Sequence, residues 1–147
     1  MSFKFNPNPI RANFLSKPGV YDATVASIKF AYTNGGDYYA QITFVTKDNE
    51  QTTGMLSTRA DKSGNYTRLN DFVAATAIQK EIDEYVAGGE VEITEAVFEK
   101  FLNRALNRYL TIDVRAKSYT KKDGTKAEGV EAVFFSRNPA GPDVNPF

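Results

Sequence analysis

Asn107-Arg108-Tyr109-Leu110-Thr111-Ile112-Asp113-Val114-Arg115-Ala116-Lys117 and, after a polar turn, Gly129-Val130-Glu131-Ala132-Val133-Phe134-Phe135 carry the most regular pattern in this chain. In the first segment Leu110, Ile112 and Val114 alternate with Tyr109, Thr111, Asp113 and Arg115. In the second, Val130, Ala132 and Phe134 alternate with Glu131, Val133 and Phe135. A period of two is that of a half-buried strand, whose successive side chains point to opposite faces. Between the segments lies Ser118-Tyr119-Thr120-Lys121-Lys122-Asp123-Gly124-Thr125-Lys126, where Asp123-Gly124 supplies the positive φ of a tight turn. The reading is a β-hairpin with one apolar face and a basic, aromatic tip.

The rest of the chain sets the bounds within which that hairpin must fit. The 147 residues are enough for one domain with a real core, and 41% apolar against 24% charged composition argues for a globular body. Lys+Arg and Asp+Glu are both 18, so a polyanion site must come from local segregation of charge. The absence of Cys removes disulfides and thiolate ligands, and the absence of His removes the commonest general base. Together they exclude the usual zinc sites, and no metal or cofactor is expected. No charged segment leads into an apolar run at the N-terminus, and no apolar run is long enough to span a bilayer, so no membrane partner is expected.

Taken in order, residues 1–18 read as an irregular arm, with Pro7, Pro9 and Pro18, in which Phe3, Phe5, Ile10 and Phe14 are candidate anchors. Residues 19–137 read as the folded domain. Gly19 to Phe30 is the first strand; Tyr21, Ala23 and Val25 share a face, then Ile28 and Phe30 take the opposite parity. Such a slip is the mark of a β-bulge, which lets one strand serve two sides of a small barrel. Tyr38 to Lys47 and Gln51 to Thr58 are the next strands of a meander, with Gly54 as a bend. A helical insertion follows over about 66–105, with Leu69, Phe72, Val73, Ala77 and Ile78 in one stripe. Val97, Phe98, Phe101 and Leu102 form a second stripe behind Thr94 as N-cap. That block is acidic: Asp71, Glu81, Asp83, Glu84, Glu90, Glu92, Glu95 and Glu99 face only Lys80 in their span. The hairpin is basic: Arg104, Arg108, Arg115, Lys117, Lys121, Lys122 and Lys126 face only Asp113 and Asp123 in theirs. Residues 138–147, rich in Pro, read as a mobile tail.

Five strands with a bulged first strand and helices between strands 3 and 4 suit a mainly β, five-stranded Greek-key barrel of the OB type. That fold binds oligonucleotides on one strand face and on the loops joining strands one to two and four to five. Here those loops are Ala31 to Asp37, with Tyr32, and Ser118 to Lys126, with Tyr119, Lys121, Lys122 and Lys126. Outward positions on the strands add Tyr39, Tyr109, Arg115, Lys117 and Phe135. Any one tyrosine is at home in a sheet, and any one lysine in a turn. The case rests on their convergence: aromatic rings stack on unpaired bases whatever the base, and cations beside phosphates release counterions.

The chain closes on Pro142-Asp143-Val144-Asn145-Pro146-Phe147, an apolar terminal pair behind a single acid, Asp143. In this tail it resembles the bacteriophage single-stranded DNA-binding proteins with an OB fold, a class whose acidic tails end in such a pair. A looser resemblance runs from Gly19-Val20-Tyr21-Asp22-Ala23-Thr24-Val25 through Tyr39-Ala40-Gln41-Ile42-Thr43-Phe44, over roughly residues 19–58. The resemblance implies a protein that coats single-stranded DNA during phage replication or recombination, in the host cytoplasm. It also implies a replication or recombination partner met through Asp143, Pro146 and Phe147. Monomer and dimer both stay open. A phage structural or assembly protein and an RNA-binding OB module are the alternatives. An enzyme is not expected: Glu81, Asp83 and Glu84 read as a solvated helix face, and Gly35-Gly36 lacks the Gly-Lys-Ser/Thr of a phosphate-binding loop.

Overall fold

The computed structural model describes Ser2, residues 13–85 and residues 94–147. Six strands form one strongly curled half-barrel sheet: β1 (Asn13–Phe14), β2 (Gly19–Tyr32), β3 (Tyr38–Thr46), β4 (Glu50–Ser57), β5 (Tyr109–Thr120) and β6 (Lys126–Arg137). Helices α1 (Thr67–Thr76), α2 (Gln79–Tyr85) and α3 (Glu95–Asn103) stand between β4 and β5. The mainly β class with a helical insertion is therefore present, but the expected strand count of five is corrected to six. The added strand lies in the arm: Asn13 and Phe14 run parallel to Glu50 and Gln51, and the Leu15 N–H donates to the Gln51 carbonyl at 2.8 Å. Two residues carry no periodicity, so this strand leaves no trace in the sequence. Of the arm's candidate anchors, Phe3, Phe5 and Ile10 lie outside the described residues, and Phe14 is 76% exposed; Leu15 is the side chain that is buried.

The sheet order is β1-β4-β3-β2-β5-β6, with β2 at its centre. Residues Gly19 to Thr24 pair with Val114 to Tyr109 of β5, and Ala23 to Tyr32 pair with Thr46 to Tyr38 of β3. The register shifts between Val25 and Ser27. Ala23 and Val25 face the core before the shift, and Ile28 and Phe30 pack against it afterwards. The inserted residue bends the strand and raises its twist, so one strand can border both halves of the curl.

The two sides of the curl meet at Gly54 of β4. A Cβ there would lie 2.9 Å from the Ala132 carbonyl oxygen on β6 and 3.1 Å from the Phe44 ring. Only glycine permits that approach. Among the described residues no hydrogen-bonded ladder joins β4 to β6, so the barrel stays half open along this seam. Beneath it Phe44, Phe72 and Phe135 pack ring to ring, with centroids 5.6 to 6.5 Å apart. Phe72 is fully buried, a burial worth about 2–3 kcal/mol, and it anchors α1 on the open end.

Helix ends are closed by local chemistry. The Thr94 hydroxyl accepts from the Val97 N–H at 3.3 Å, the N-cap that the sequence predicts. At the other end of the insertion, Ala77 takes a left-handed φ of 57° and ends α1. The Arg108 guanidinium donates to the carbonyls of Thr76 and Ala77 at 2.7 and 3.0 Å, setting a cation at the negative end of that helix. Glu90 and Glu92 of the acidic block lie outside the described residues.

Candidate nucleic-acid interface

On β3 and β4 the register pairs Tyr39 with Ser57, Gln41 with Met55, Thr43 with Thr53 and Val45 with Gln51. The residues between them, Ala40, Ile42, Phe44 and Leu56, are fully buried. Side chains alternate along a strand, so the four pairs form the outer face, and Lys29 joins them across from Gln41. From Gln51 to Ser57 that face is about 20 Å long.

Two grooves lie on it. One, of about 770 Å³, separates the face from the hairpin: Lys29, Gln41 and Thr43 line one side, Tyr119 and Val130 the other, with Phe14 at the edge. The second, of about 380 Å³, lies where β4 meets β6 and is lined by Met55, Phe134, Arg59, Tyr66 and Arg68. Met55 and Phe134 are 39% and 49% exposed, and the Arg115 guanidinium lies 5.5 Å from the Phe134 ring centroid, within cation–π range. Exposed rings and a thioether are surfaces on which a base can stack, and the nearby cations suit phosphate.

The hairpin tip is built as the sequence predicts. The Lys121 N–H donates to the Thr125 carbonyl at 2.8 Å, Gly124 takes φ 86°, and the Asp123 carboxylate accepts from the Thr125 N–H at 2.9 Å. Those bonds hold the Asp123 carboxyl below its ordinary range, the Thr125 hydroxyl being the largest cause. Lys121, Lys122 and Lys126 are exposed around this turn, and Tyr119 stands beside them.

The other expected contacts are dispersed or engaged. Tyr39 is outward and half-buried on β3. Tyr109 begins β5, and the strand's twelve residues put it about 35 Å from the tip. It is not part of the tip cluster. Arg115 is gripped by Asp113, with two hydrogen bonds of 2.8 and 2.9 Å to its carboxylate. That bond lowers the Asp113 pKa and raises that of Arg115. The Lys117 ammonium lies 3.2 Å from the Glu131 carboxylate. Two of the expected phosphate ligands thus already have counter-charges. Phe135, expected outward, is buried, and Phe134 is exposed instead. The cause is a register shift at Asp113/Val114: Val114 pairs with Ala132 but Asp113 with Phe134, leaving Val133 as the extra residue.

Tyr32 occupies a different place. It lines a cleft of about 590 Å³ between the β2–β3 loop and the starts of α1 and α3, with Tyr38, Tyr66 and Phe98. Its hydroxyl donates to the Glu95 carboxylate, and that of Tyr38 to Glu99. Both phenols are held above their ordinary pKa, Tyr32 chiefly by the bond to Glu95, Tyr38 chiefly by burial and then by Glu99. The acidic helix, not the basic hairpin, is the neighbour of Tyr32.

The segment read as a mobile tail is laid on the body. Asn138 is buried, its amide donating to Asp22 at 3.3 Å, and the Tyr109 N–H donates to the Pro142 carbonyl at 2.9 Å. The Phe147 ring stands edge-on to Tyr109 at 5.8 Å, and Asp143 lies 4.0 Å from Arg108. Pro146 is half-buried. All three residues expected to meet a partner therefore lie near the base of β5.

Sequence reasoning missed Lys29, Met55, Phe134, Arg59 and Arg68. Lys29 was legible, lying between the inward Ile28 and Phe30, and so was Met55, between Gly54 and Leu56. Phe134 was not, because its direction depends on the β6 bulge. A scan against protein-family models and a search of curated proteins each find no match to this chain. Among the described residues no helix is long and apolar enough to cross a membrane, and no three His, Cys, Asp or Glu side chains stand close enough to hold a metal ion.

Proposed function

We propose that this chain is an OB-type protein that binds and coats single-stranded DNA with little sequence preference, in phage DNA replication or recombination, without catalysis. The strand arrangement supports the fold: a bulged central strand, a meander on one side, a hairpin on the other and a half-open seam accord with a small, partly open Greek-key barrel. The observation that carries the function is the outer face of β3 and β4. It has a groove at each end, stacking surfaces in Tyr119, Met55 and Phe134, and exposed lysines on the adjoining hairpin tip. Stacking contributes about 1–3 kcal/mol per base without reading its identity. The polar floor of Gln41, Thr43, Gln51 and Thr53 offers amide and hydroxyl groups to bases or phosphates.

The test is titration with poly-dT, duplex DNA and single-stranded RNA at two salt concentrations. Preferential, salt-sensitive binding of poly-dT supports the reading. Equal affinity for duplex, or indifference to salt, would sink it, and a preference for RNA would move the reading to an RNA-binding module.

A further inference from the structure

We propose that the cleft of about 590 Å³ beside the β2–β3 loop is a receptor site for an arginine side chain presented by a partner protein. The cleft falls in the size range of small-ligand sites, roughly 300–1,000 Å³. Its lining combines the rings of Tyr32, Tyr38, Tyr66 and Phe98 with the carboxylates of Asp37 and Glu95, and it includes no lysine or arginine among the described residues.

The geometry favours a planar cation. Tyr32 and Tyr38 lie 5.0 Å apart at 49° to each other, and Phe98 meets Tyr38 edge-on at 6.0 Å. Aromatic faces are electron-rich, so they attract a cation placed over them. The Glu95 carboxylate takes the Tyr32 hydroxyl on one oxygen, and a carboxylate can accept through both. Glu99 adds negative charge behind Tyr38. A phosphate would meet this charge unfavourably; a guanidinium would not. Arginine fits better than lysine because its flat head stacks on a ring while its N–H groups fork onto a carboxylate. The loop already shows the pairing in miniature: Asp37 takes the Arg59 guanidinium at 3.6 Å at the surface.

The site does not depend on DNA binding. The lining residues it has in common with the grooves of the β4 face are Tyr66 and Leu69, so the test spares both. The probe is a capped Gly-Arg-Gly peptide, with the same peptide carrying neutral citrulline as its twin. Ring-proton shifts of Tyr32, Tyr38 and Phe98 are followed by NMR. Saturable shifts with the arginine peptide are expected, with the citrulline twin and the variant Glu95→Gln each weakening binding about ten-fold, the effect of losing one charged hydrogen bond. Equal binding of the citrulline peptide would overturn the proposal, and needs no variant. So would an unchanged affinity in a folded Glu95→Gln protein, or poly-dT shifting these rings where the arginine peptide does not.

Discussion

Replacing Lys121, Lys122 and Lys126 together with alanine should flatten the salt dependence of single-strand binding. All three are exposed at the hairpin tip, and none is in an ion pair among the described residues. Each lysine–phosphate contact with a single strand adds about 0.7 to the slope of log affinity against log salt, so three add about 2. Over a four-fold rise in salt a slope of about 2 is a factor of about 16 in affinity, which the wild type should lose and the triple variant should keep. Lys117 is the internal contrast. Its ammonium already has the Glu131 carboxylate 3.2 Å away, with that carboxylate side chain only 16% exposed. Lys117→Ala should therefore change the slope by less than the roughly 0.7 of one full contact. Quenching of tyrosine fluorescence by poly-dT at four salt concentrations measures both. A triple variant with the wild-type slope would refute the reasoning, and so would Lys117→Ala removing a full contact.

Further outcomes follow from the same geometry. Asp113→Asn removes the charge that grips Arg115 beside Phe134, so it should raise affinity for poly-dT, and an unchanged or lower affinity would take Arg115 out of the interface. Gly54→Ala places a Cβ 2.9 Å from a backbone oxygen across the seam and should cost about 1–3 kcal/mol, read as a lower urea midpoint at unchanged m-value. An unshifted midpoint would mean that β4 and β6 part freely. Tyr38 keeps its proton in the folded state above the ordinary phenol value of 10.0. The unfolded chain releases that proton first, so the contribution is complete below about pH 10 and is lost as pH rises through the folded value. Stability should fall less steeply above about pH 10 in Tyr38→Phe than in wild type, and parallel curves would contradict the shift.

Much of the fold was legible because it is written in local period. The parity change from Val25 to Ile28 marked the β2 bulge, Asp123-Gly124 marked the turn, and Thr94 marked the start of α3. What escaped depends on pairings between distant segments. β1 exists because Leu15 finds Gln51, and nothing local to Asn13 and Phe14 announces it. The β6 bulge at Val133 has no glycine or parity signal, so Phe134 and Phe135 were exchanged. The candidate site was less legible than the fold for a related reason. Composition shows where charge is, but not what neutralises it. Arg115 and Lys117 look like free cations until the ladder brings Asp113 and Glu131 beside them. Tyr32 looks like part of the basic surface until a helix 63 residues further on brings Glu95 to its hydroxyl.

The central place of β2 has a consequence for how the chain assembles. Its partners on one side, β3 and β4, follow it directly and can close as a meander. Its partner on the other side is β5, with Thr24 opposite Tyr109 across the whole helical insertion. Half of the barrel thus waits on a loop closure that the other half does not need, and such non-local pairing is what slows folding. The equilibrium cost of that wait is small, since doubling a loop costs only about 0.6 kcal/mol. Added length at the junction between β4 and β5 therefore changes folding time more than stability, as long as Phe72 keeps its place in the core.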